Sequence, residues 1–115
     1  MAVRPITIPI DAGVENILNF WWKYRGAPIN LTGYTVEFKV KKKITDTEYL
    51  FILTDTDDIS VTAADGLMRV SISAENSALL ASVAEERNPF ELQAAPAGED
   101  PRCVAKGNLL GKPGV

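Results

Sequence analysis

The chain has 115 residues, 46% hydrophobic and 23% charged, the composition of an ordinary folded domain. At this length one domain is expected, burying roughly two thirds of the surface its unfolded chain exposes. A net charge of −3 argues against a nucleic-acid partner, the single cysteine, Cys103, excludes a disulfide within the sequence, and no stretch approaches the ~20 apolar residues of a membrane helix.

The lone cysteine fits folding in a reducing cytoplasm, and residues 1–13 hold no apolar run of the roughly 7–15 residues a secretory signal needs. Within them, Ile6, Ile8 and Ile10 share one face of an extended segment. Pro5 and Pro9 cannot donate ladder hydrogen bonds, so residues 1–10 are expected to be an edge strand or an extended arm. Asp11-Ala12-Gly13 reads as a turn. Residues 15–25 then alternate, with Leu18, Phe20, Trp22 and Tyr24 toward a core and Ile17, Asn19, Trp21, Lys23 and Arg25 away from it. Trp21 is left outside as a candidate contact residue.

After the turn Arg25-Gly26-Ala27-Pro28 comes the clearest strand of the chain. Tyr34, Val36, Phe38 and Val40 face one way, and Thr35, Glu37, Lys39 and Lys41 the other. Its expected partner is the 15–25 segment, as a hairpin-like neighbour. Lys39 and Lys41-Lys42-Lys43 form a basic cluster, read either as an anionic-partner patch or as a solvated face that protects an edge.

The run Glu48–Thr54 is rich in β-formers and reads as a strand. The acidic loop Asp55, Asp57, Asp58 lacks the spacing and distal Glu of a calcium loop. Ile59–Thr62 and Leu67–Ser73 alternate about an Asp65-Gly66 turn and read as a hairpin. Residues 74–86 turn to Ala, Leu and Glu, which favours a short helix capped by Ser73. Phe90–Ala95 and residues 102–106 form another strand pair, with Gly107 a candidate bulge or bend. Residues 108–115, with Leu109 and Leu110, read as a tail that cannot fold alone and is either frayed or docked on something. The sum is an all-β chain: a two-layer antiparallel β-sandwich, immunoglobulin-like, of 7–8 strands with one short helix near residues 74–86. It forms one domain over 1–115 with possible arms at 1–10 and 108–115.

Chemistry is sparse. The sequence has no histidine, so the commonest general base is absent and Cys103 lacks the partner of a Cys-His nucleophile. Nothing places a second acid opposite the aspartate loop for glycoside cleavage. No enzyme, cofactor, metal, nucleic acid or membrane partner is expected.

The order of signals resembles a known family. It runs Arg25-Gly26-Ala27-Pro28-Ile29-Asn30-Leu31-Thr32-Gly33-Tyr34, then Asp65-Gly66 with its strand, then Ser73–Leu80, then Phe90-Glu91-Leu92-Gln93-Ala94 and a return ending in Lys106-Gly107. This is similar to the small immunoglobulin-like β-sandwich domain at the start of baseplate, fibre and tail-accessory proteins of tailed bacteriophages. Asn30 stands where the family often has Asp, and Arg87-Asn88-Pro89 where Gly-x-Tyr is usual. The resemblance implies a structural virion protein made in the host bacterial cytoplasm: a tail, baseplate or fibre-attachment subunit. It would dock on other phage structural proteins and on copies of itself in a symmetric assembly. Where the family domain often precedes a longer fibre region, a copy standing alone implies a connector or decoration subunit. The family supplies no catalytic residues. Exposure and position single out Ile6, Ile8, Trp21, Leu109 and Leu110 as interface residues. The alternative is a carbohydrate- or receptor-binding module that stacks sugars on Trp21, Trp22 or Tyr49.

Overall fold

A computed structural model describes residues 5–42, 47–80 and 88–112. In chain order the elements are β1 (Ile6–Asp11), β2 (Asn16–Trp21), the two-residue strands β3 (Lys23–Tyr24) and β4 (Ala27–Pro28), β5 (Thr35–Val40), β6 (Phe51–Thr54) and β7 (Ile59–Thr62). After these come β8 (Leu67–Ile72), the one-turn helix α1 (Ala74–Ser77), β9 (Asn88–Ala95) and β10 (Arg102–Lys112). One sheet has the order β1-β10-β9-β5-β6, the other β2-β8-β7, and β3 and β4 form a separate ribbon. All pairings are antiparallel except β1 with β10. The order is that of an immunoglobulin-like sandwich. β2, β8 and β7 take the places of strands B, E and D; β5, β6, β9 and β10 take those of C, C′, F and G.

Alternation builds the core. Val36, Phe38 and Val40 of β5, Met68, Val70 and Ile72 of β8, and Phe90, Leu92 and Ala94 of β9 are all buried, while their sequence neighbours point outward. Three rings join the layers where antibody domains place a B–F disulfide against a Trp on C. Phe38 stacks on Phe90 at 5.2 Å between centroids, and Phe20 of β2 lies 6.2 Å from Phe38 and 6.5 Å from Phe90. Such ring pairs contribute about 0.5–1.5 kcal/mol each beyond the area they bury.

Several expectations need correction. β2 does not pair with β5; it pairs with β8 in the other sheet, Asn16 opposite Ile72 through Trp21 opposite Leu67. The chain changes sheets at the β1–β2 turn, where the Asp11 N–H donates to Asn16 Oδ1 and Asn16 Nδ2 donates back to the Asp11 carbonyl. Tyr24 is exposed instead of inward, because the strand ends at Trp21 and the ribbon turns out at Arg25 (φ 52) and Gly26 (φ 81). Two central residues at positive φ make this a type I′ hairpin turn. The helix is a single turn ending at Ser77; the remainder of the segment expected to be helical, from 81, lies outside the described residues.

The C-terminal segment is no loose tail. Residues 108–112 continue β10; β1 pairs with all of them, β9 with Asn108 and Leu109, and Leu109 is fully buried. The bulge falls between Cys103 and Ala105 instead of at Gly107. Gly107 serves a different need. A Cβ there would lie 1.8 Å from the Ile6 carbonyl oxygen, so β1 can approach only a glycine.

Two buried polar side chains lock the ends of the sheets. Ser77 Oγ accepts from the Gly13 N–H at 3.0 Å and lies 2.8 Å from the Val14 carbonyl, to which it donates, tying α1 to the β1–β2 turn. Asn88 Nδ2 donates to the Lys41 carbonyl at 3.2 Å, and the Lys41 N–H donates to the Pro89 carbonyl at 2.9 Å.

Candidate functional site

The two layers present two very different outer faces. On the three-stranded sheet, the residues of β2 that alternate away from the core are Ile17, Asn19 and Trp21. Opposite them on β8 are Ser71, Arg69 and Leu67. Arg69 Nε donates to Asn19 Oδ1 at 3.2 Å across the middle of this face. Ile17 and Trp21 flank that pair and are 52% and 57% exposed. β2 is the end strand of its sheet, so among the described residues its outer backbone edge has no strand partner. An exposed Trp beside an open edge combines apolar area with unpaired backbone donors and acceptors, the two ingredients of strand-addition docking.

The expected contact residues do not gather on this face. Ile6 is 44% exposed at the start of β1, in the other sheet. Ile8 is half-buried against the core, Leu110 is half-buried, and Leu109 is part of the core and offers no outward surface. Of the three proposed sugar platforms, Trp22 packs on the core edge-on to Tyr34, at 6.2 Å and 86°, which removes it. Ile17 and the open β2 edge went unnoticed in the sequence. Ile17 belongs to the outward set of its strand, but only the sheet order shows that this strand is an edge.

The five-stranded sheet presents a charged cleft of about 510 Å³, lined by Pro5, Lys39, Lys41, Tyr49, Glu91 and Lys106 among others. Lys39, Glu91 and Lys106 sit in one row across β5, β9 and β10. The ammonium groups of Lys39 and Lys41 lie 5.4 and 5.2 Å from the centroid of the Tyr49 ring, within cation–π range. β5 is an interior strand, so edge protection does not explain Lys39 and Lys41; Lys43 lies outside the described residues. Glu91 is held along its own strand by Gln93, whose Nε2 donates to Glu91 Oε1. Lys39 reaches Glu37 at 3.7 Å, and among the described residues no carboxylate pairs with Lys41 or Lys106.

Cys103 lies on the same face in the bulge, its Sγ 3.7 Å from the Ala105 carbonyl. Burial pushes the thiol above its ordinary value, the negative charge of Glu91 adds to this, and Lys106 pulls the other way. That is the reverse of what an activated thiolate needs. Asp55, Asp57 and Asp58 occupy the β6–β7 turn, where the N–H groups of Asp57 and Asp58 donate to the Thr54 carbonyl. Among the described residues no three acidic or cysteine side chains converge to hold a metal ion.

No family model matches the chain, and no curated protein matches it. Among solved structures, the extracellular domains 3–5 of Drosophila OTK align with 93% of this chain at 15% identity and a TM-score of 0.40. The chain spans 33% of that longer chain. Among the described residues no helix is long and apolar enough to cross a membrane.

Proposed function

We propose that this chain is a structural subunit of a tailed-bacteriophage particle, a tail, baseplate or fibre-attachment protein that works by docking on neighbouring protein chains. The observation that carries the docking half is the outer face of β2. Ile17 and Trp21 stand more than half exposed beside an open strand edge, and Trp is the residue most enriched at binding hot spots. The phage half is supported by the motif order of the sequence. In the Asn30–Tyr34 stretch of that order, Asn30 Oδ1 accepts from both the N–H and the hydroxyl of Thr32, at 3.0 and 2.6 Å, and the Tyr34 N–H closes on the Leu31 carbonyl. Asn is a competent substitute for the family's Asp in such an Asx turn. Repetition around a ring would turn weak edge contacts into a firm assembly.

The deciding experiment is quantitative peptide mass spectrometry of density-purified particles from the source, with Trp21→Ala and Ile17→Ser compared for incorporation. A fixed copy number that falls in the variants supports the reading. Absence from particles refutes it. The exposed ring of Trp21 also favours a second reading, a carbohydrate-binding module. In that case the isolated chain is retained on a glycan surface and Trp21→Ala abolishes retention.

A further inference from the structure

We propose that the lysine-lined cleft of the five-stranded sheet is a binding site for a small oxyanion-bearing molecule, a phosphate, sulfate or carboxylate carried on a body of about sugar size. The cleft faces away from the β2 surface, so this inference does not rest on the docking reading.

Charge comes first. Within a chain of net charge −3, the cleft lining holds Lys39, Lys41 and Lys106 with one lining carboxylate, Glu91, and Glu37 beside it reaches Lys39 at 3.7 Å. The Glu91 carboxylate is engaged by Gln93 of its own strand. Lys41 and Lys106 have no acidic partner among the described residues. Lys39 and Lys41 meet at one ring, like charges held close repel, and an anion bound beside them turns that cost into attraction.

Preorganisation comes second. The backbone at Lys41 is fixed from both sides of its peptide: its carbonyl accepts from the buried Asn88 side chain, and its N–H donates to Pro89. The Tyr49 ring lies beneath the ammonium groups of both Lys39 and Lys41, which holds two flexible side chains over one spot. Less rotamer freedom then remains to be lost on binding.

Size comes third. A cleft of about 510 Å³ exceeds what a bare inorganic ion fills and falls in the range of small-molecule sites. Pro5, Pro89 and Tyr49 supply the apolar lining for a ring-shaped body, and Asn108 a neutral polar group.

The test is amide chemical-shift titration of the whole chain at low salt with inorganic phosphate, glucose 6-phosphate and glucose. The expected result is saturable shifts at residues 39, 41, 49, 106 and 108 with glucose 6-phosphate, weaker ones with phosphate and none with glucose. Lys41→Gln and Lys106→Gln should each lower affinity about five-fold, and Lys106→Arg should retain it. Binding should also weaken as salt rises to about 0.1 M, where the screening length falls to ~10 Å. Lys106 is exposed and Lys41 half-exposed, its fold contacts made by its backbone, so melting curves of the variants should match the parent and exclude misfolding. Three results would overturn the proposal: shifts that do not saturate, shifts spread equally over Lys23, Lys42 and other surface lysines, or glucose binding as tightly as its phosphate.

Discussion

Replacing Gly107 by alanine should unpick the parallel strand from the larger sheet. The new Cβ would sit 1.8, 2.5 and 2.7 Å from the oxygen, nitrogen and carbonyl carbon of Ile6. All three neighbours are backbone, so no side chain can swing aside. β1 must retreat by about 1.5–2 Å to restore ordinary contact, which stretches hydrogen bonds near Ile6 beyond the 3.2 Å or so at which they hold. Losing one or two of them costs about 1 kcal/mol each. Alanine at φ 152 adds about 1–3 kcal/mol of backbone strain. If the separation runs as far as Ile10, which is fully buried, a further ~1.5–3 kcal/mol of apolar burial is lost. The expected total is about 2–5 kcal/mol if the separation stays local and up to about 8 kcal/mol if it reaches Ile10, a large share of the ~5–15 kcal/mol available to a small domain. Gly98→Ala is the control: φ is 75 there with nothing within 4 Å, so only the backbone penalty applies. Urea titration gives the energies, and amide hydrogen exchange locates them, with Thr7–Asp11 losing protection while β2 and β8 keep theirs. Equal losses at the two glycines, or unchanged exchange along β1, would show that the close approach is not what holds the strand.

Ser77→Ala should destabilise by about 1 kcal/mol, because the Gly13 N–H loses its side-chain acceptor and the Val14 carbonyl keeps only the Asn16 side chain as donor; a thermal melt within experimental error of the parent would contradict the clamp. Arg25→Gly should stabilise slightly, by up to about 1 kcal/mol, since Arg25 occupies positive φ; denaturant midpoints measure it, and a clear loss would mean that Arg25 stacking on Tyr24, at 5.3 Å, matters more than the turn. Because the folded thiol pKa of Cys103 is raised, its contribution to stability is complete below the ordinary thiol range and lost as pH rises through the folded value. Cys103→Ser should therefore flatten the alkaline fall in stability, and Glu91→Gln should speed alkylation of the thiol by iodoacetamide; a slower reaction would reverse the assigned charge effect.

The faces of the strands were readable from alternation, and their partners were not. Val36, Phe38 and Val40 declare an inner face in any register, yet nothing in period two says which sheet holds β2. Leu109 was missed for a related reason. Gly107-Asn108 and Gly111 resemble loop sequence, but β10 lies between β9 and β1, and pairing on both sides overrides weak local propensity. Ser77 and Asn88 act on partners 63 and 47 residues away, beyond any local pattern. Of the cleft, the sequence revealed the lysine cluster at 39–43; Lys106, Glu91 and Tyr49 joined it only when β9 and β10 were laid beside β5.

The trio of Phe20, Phe38 and Phe90 has a consequence for where such a domain works. A sandwich clamped by sulfur must wait for an oxidant and loosens when it meets glutathione. One clamped by rings is indifferent to electrons. Its layers close as soon as the chain is complete, and a reductant leaves them shut. The clamp between these layers therefore holds in oxidising and reducing surroundings alike, with no bond to make or mend.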